Sequence, residues 1–191
     1  NGAADFTERK MNVVVTTNII GDLVRQVAGD RVTLTTLMGA GVDPHLYRAS
    51  EGDVQTMAEA DLVLYNGLHL EGKMTDVLAQ MNERSVPTSA LAADAVPDSL
   101  LIPSAEYASS YDPRVWLDVQ LWRRVTQHVG DMLARRDTAR ADVYRSSADA
   151  YAQRLDSLHQ YVMRQAKRIP EDRRVLITSH DAFRYLGQAY D

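Results

Sequence analysis

The chain has 191 residues, of which 45% are apolar and 25% charged, and carries a net charge of −5. That length supports one or two packed domains, and the acidic balance argues against a nucleic-acid or anionic-membrane surface. Cysteine is absent, so disulfides and thiolate metal sites are excluded, and any metal site must draw on His, Asp or Glu.

Residues 1–11 are polar and rich in small side chains and read as a flexible arm; no signal peptide is visible there, and no apolar run approaches the ~18 residues of a membrane span. Asn12–Thr17 is a β-branched run suited to a buried parallel strand. Asn18 is placed to cap a helix whose stripe is Ile19, Ile20, Leu23, Val24, Val27 and Ala28, ending at Gly29. Arg31–Leu37 reads as a second strand. A Gly-Ala-Gly loop then leads into Val42-Asp43-Pro44-His45-Leu46-Tyr47. Ser50 and Asp53 form a capping box for the next helix. Asp61–Tyr65 is a third strand with the loop Asn66-Gly67-Leu68-His69, followed by a helix over Glu71–Asn82. Val86–Ser89 is a candidate fourth strand, and Leu91–Ser110 is irregular.

The Asp-Pro pattern returns as Tyr111-Asp112-Pro113-Arg114-Val115-Trp116, with Arg114 at the position of His45. Asp before Pro favours a turn, so each copy presents its third residue from a rigid loop. Asp118–Arg135 is helical. Asp137 or Thr138 caps a helix of about thirty residues (roughly 45 Å) with the stripe Tyr144, Ala148, Tyr151, Leu155, Leu158 and Val162, stopped by Pro170. Arg174–Thr178 is again strand-like, with the loop Ser179-His180-Asp181 and a helix over Ala182–Tyr190. Alternating βα units predict an α/β fold with a parallel sheet.

Ligands of open α/β sheets bind beyond the carboxyl ends of the strands. His45, His69, Arg114 and His180 all fall in loops entered from predicted strands, whereas His128 and His159 lie inside helices. Imidazole suits Zn, Mn or Fe, but Arg cannot ligate a cation. Each feature also has an ordinary reading: surface histidines, simple turns, a packing stripe on the long helix, and solvated faces for the Arg pairs at 123–124, 135–136 and 173–174. Nucleophile-elbow, P-loop, dinucleotide and H-E-x-x-H motifs are absent. Ser179, His180 and Asp181 are adjacent on a turn, and triads are assembled by geometry rather than adjacency.

Four segments in order resemble the zinc/manganese-type metal solute-binding receptors of ABC importers, the cluster with a long linking helix. They are Gly39–Tyr47, Tyr65–Glu71, Asp112–Asp118 and Thr178–Phe183, and the resemblance runs from about Val13 to Tyr190. It implies two α/β lobes and a cleft metal, with His45 and position 114 from the first lobe and His180 plus a later carboxylate from the second. His69 belongs to a family motif and is placed as a possible second-layer residue. Arg114 stands where the family has a ligand His. The expected organisation is an arm over 1–11, a first lobe over 12–137, a linking helix over 138–169, and the start of a truncated second lobe over 170–191.

The resulting expectation is an extracytoplasmic receptor, not an enzyme, that captures Zn, Mn or Fe. It would deliver the ion to a membrane permease, its site impaired by Arg114 and by the missing carboxylate, so that metal is bound weakly or not at all. The sequence also allows a structural or adhesive surface protein that keeps the fold without transport, and an α/β metallohydrolase using His45, His69 and His180. An unpaired strand at Val175–Thr178 would invite pairing with another chain, so Arg174–Tyr190 is expected to pack against another copy, dock irregularly or be poorly ordered.

Overall fold

A computed structural model describes residues 6–104, 110–178 and 181–191. Four strands, β1 (Met11–Thr17), β2 (Val32–Met38), β3 (Leu62–Tyr65) and β4 (Thr88–Ala90), form one parallel sheet in the order β2-β1-β3-β4. Among the described residues seven α-helices accompany them: α1 (Asn18–Ala28), α2 (Glu51–Ala58), α3 (Thr75–Glu83), α4 (Leu91–Ala95), α5 (Val119–Arg136), α6 (Ala141–Ala166) and α7 (Arg184–Tyr190). Among the described residues no helix is long and apolar enough to cross a membrane.

The two-residue period of the strands sorts the core. Val13, Val15, Leu62 and Leu64 face a layer built on α1, α5 and α6, while Val14 and Val63 face Met57, Met74, Leu78 and Met81 from the α2 and α3 side. Both faces of β1 are therefore covered, which is why it reads as an unbroken β-branched run. β2 lies at the edge, and its residues alternate less cleanly between buried and exposed.

Several local expectations are corrected. Asn18 opens α1 instead of capping it; Thr17 is at the cap, with no side-chain bond to the helix. The Ser50–Asp53 capping box is present as expected. Residues 6–10, expected as part of a flexible arm, are tied down. Phe6 is only 2% exposed and joins the core. Arg9 forms a two-pronged pair with Asp61 at 2.6 and 2.7 Å, and its guanidinium lies over the Phe6 ring. The polar composition concealed a single aromatic anchor.

The long helix forms after a 3-10 turn at Thr138–Arg140 and spans 26 residues, roughly 39 Å. Asp137 does not cap it through a backbone N–H: its carboxylate accepts Arg140 Nη1 and the Tyr144 hydroxyl. The buried stripe is confined to Tyr144, Ala148, Ala152 and Leu155, so Leu158, expected to be packed, is exposed.

Residues 174–178 do not form a strand. Val175, Leu176 and Ile177 are 73%, 61% and 89% exposed. A strand exists only through pairing, and none of the described strands pairs with this segment. The following α7 instead docks back through two buried tyrosines, Tyr185 and Tyr190.

Candidate metal centre

The two Asp-Pro-X loops fold alike. Asp43 Oδ1 accepts the His45 N–H at 2.9 Å, and Asp112 Oδ1 accepts the Arg114 N–H at 2.9 Å. In both, the carboxylate closes an Asx turn around the proline and projects the third residue. The sheet topology brings the loops together, with Arg114 Nη2 3.4 Å from His45 Nε2. A guanidinium can only donate, so His45 Nε2 is the acceptor. The lone pair that would bind a metal is thus turned towards Arg114.

Arg114 is buried. Its Nη1 lies 3.4 Å from Asp112 Oδ1 and donates to the Asp181 carbonyl at 3.3 Å. The side chain therefore links both Asp-Pro loops to the segment beyond the long helix. A fixed positive charge here opposes a cation at His45.

His69 is elsewhere. It is exposed, in a left-handed conformation with φ 64°, directly after Gly67 (φ 80°) and Leu68 (φ 52°). It lines a cavity of about 320 Å³ with Tyr65, Leu68, Glu71 and Tyr111, which neither His45 nor Arg114 lines. His180 lies outside the described residues. Of the four predicted positions, the described structure joins two. Among the described residues no cluster of three or more His, Asp or Glu side chains is arranged to hold a metal. The histidines within helices have other partners: His128 Nε2 is 3.4 Å from Ser89 Oγ, and His159 Nδ1 is 3.1 Å from the Tyr190 hydroxyl.

Sequence reasoning missed the residues that brace these loops. Glu71, read as the start of a helix, stays in the loop, and α3 begins at Thr75 after a 3-10 turn. Its carboxylate accepts the Asn66 N–H (2.7 Å), the Gly67 N–H (3.0 Å) and the Thr16 hydroxyl (2.7 Å). Burial pushes the Glu71 carboxyl above its ordinary value, while these donors pull it back. Asn66 Nδ2 in turn donates to the carbonyls of Gly67 and Pro113, joining the His69 loop to the Arg114 loop. The signal available was the spacing of Asn66-Gly67 ahead of Glu71, an acid too close to a turn for an ordinary helix start. On the His45 side, the Tyr47 hydroxyl donates to Asp53 at 2.8 Å; burial first, and this carboxylate second, push the phenol up to about 12.

Residues 13–191 match the family described as zinc-uptake complex component A, periplasmic (ZnuA). The manganese-binding lipoprotein MntA of Bacillus subtilis is 40% identical over 190 residues, covering all of this chain and 61% of that protein. The zinc-binding protein TroA of Treponema pallidum is 42% identical over 178 residues, 93% of this chain and 56% of the relative. The solved structure of periplasmic zinc binding protein TroA from Treponema pallidum superposes with a TM-score of 0.89 at 42% identity, over 95% of this chain and 64% of that one. The chain thus spans about 60% of the length of the curated relatives it matches.

Proposed function

We propose, from the premise that this chain belongs to the zinc-uptake complex component A family, that it serves the capture of a divalent cation outside the cytoplasmic membrane for delivery to an ABC permease. Zinc or manganese is the cargo we favour, because the relatives are named for those two ions. His45 and His180 are the proposed ligands, and Arg114 stands in the place of another. The reading is supported above all by the meeting of the two Asp-Pro-X loops, which sets residue 114 against His45 Nε2.

The same contact defines the expected weakness. With the guanidinium held against His45, this chain should bind Zn²⁺ and Mn²⁺ poorly. Isothermal calorimetry tests that directly. No sub-micromolar site is expected in the unchanged chain, and Arg114→His should strengthen binding by removing the charge and adding an imidazole. A sub-micromolar site that disappears in His45→Ala would overturn the impaired-site reading.

The arginine also supports a second reading: a structural or adhesive surface protein that retains the fold without transport. Growth rescue of a metal-import mutant separates the two, since only a working receptor restores growth in metal-poor medium. Self-association through residues 174–178 gains no support, because the strand edge it requires does not form.

A further inference from the structure

The Asp112 loop is held by a segment further along the chain, 73 positions away at Tyr185. Asp112 donates its N–H to the Ile102 carbonyl at 2.8 Å, and Pro103 and Tyr111 pair as an antiparallel bridge. The complementary groups, the Ile102 N–H and the Asp112 carbonyl, do not bond each other. The Tyr185 hydroxyl stands between them, accepting the Ile102 N–H at 3.1 Å and donating to the Asp112 carbonyl at 3.1 Å. Tyr185 is only 2% exposed, so water is not a ready substitute for its hydroxyl. Nearby, Arg184 donates to the Pro103 carbonyl and Arg114 to the Asp181 carbonyl. The other end of α7 is anchored by Tyr190, whose hydroxyl meets His159 and the Val119 backbone N–H at the start of α5 without bonding Asp112.

We propose that Tyr185 is a positioning residue: through its hydroxyl, the segment after the long helix sets the Asp112-Pro113-Arg114 loop and hence the placement of residue 114 against His45. The bond falls on the carbonyl of the residue whose carboxylate closes the Asx turn. A displacement of α7 is therefore transmitted to residue 114 across two residues of a proline-stiffened turn. The functional meaning rests on reading this loop as one wall of the metal site; the structural coupling does not.

Tyr185→Phe keeps the ring and deletes the bridge. Amide hydrogen exchange resolved by NMR should then accelerate roughly tenfold at Ile102 and at Arg114, as expected for losing one buried hydrogen bond. The Arg114 guanidinium resonances should shift, and the sheet amides of Val14 and Val63 should not change. Tyr190→Phe, which loosens α7 without touching Asp112, should leave Arg114 unaffected. Three results would overturn the proposal: no change at Arg114 even if Ile102 accelerates, uniform acceleration throughout the sheet, or the same Arg114 response in Tyr190→Phe. None of these measurements uses metal, so failure of metal binding in the calorimetry leaves this test standing.

Discussion

Glu71 shows how one buried side chain can hold a strained backbone. Gly67, Leu68 and His69 are three consecutive left-handed residues, and for the two that are not glycine this costs on the order of 1–2 kcal/mol each. The carboxylate offsets the strain by collecting the Asn66 and Gly67 N–H groups, and Thr16 fixes its orientation from β1. Glu71→Gln would keep one acceptor oxygen but turn an amide NH₂ towards a backbone N–H. Chemical denaturation should show a loss of about 1–3 kcal/mol; unchanged stability would mean the loop is held by something else. The residue types of Asn66–Glu71 were readable as a motif. Their left-handed backbone and the pairing with Thr16, 55 positions away, were not.

At the scale of elements, the contact between α5 and α6 depends on a missing side chain. A Cβ placed on Gly130 would lie 2.6 Å from the Ala148 Cβ and 3.5 Å from the Tyr144 carbonyl oxygen. Both neighbours belong to α6 itself, so relief requires moving a helix. Gly130→Val should lower stability by about 1–3 kcal/mol through overpacking, measurable as a shift in the denaturation midpoint. A neutral result would show that the crossing is looser than these distances require. Helical periodicity located α5 and the buried half of α6. It could not say that Leu158 is left exposed, because Leu158 continues the stripe while Val162 and Met163 beyond it still pack against the core.

Across the whole molecule, the N-terminal segment is joined to the sheet by an acid-sensitive clasp. Asp61 receives Arg9 in two bonds and the Asn12 N–H at 2.7 Å, just ahead of β3. Burial opposes its charge, yet these donors hold the carboxyl below its ordinary value of 3.8. A lowered folded value means that the unfolded chain binds the proton more readily. The stabilisation is therefore complete above about 3.8 and is lost as pH falls through the folded value. Asp61→Asn should reduce stability near neutrality and flatten this part of the acid limb when unfolding is followed by urea titration at several pH values. An acid limb unchanged in the variant would assign acid sensitivity to other carboxylates, with Asp53, also lowered despite burial, the next to examine.

Local sequence determined the parts of this protein that depend on neighbours in the chain. The parallel α/β pattern, the turns at Asp43 and Asp112 and the capping box at Ser50 all rest on periodicity, turn chemistry or short-range spacing. Tertiary structure alone decided that Phe6 enters the core, that residues 174–178 form no strand, and that His69 lines a cavity that His45 does not. It also decided that Arg114 lies against His45 and that Tyr185 reaches back to brace its loop. Each of these depends on contacts between segments far apart in the chain, whose mutual distances no local pattern encodes.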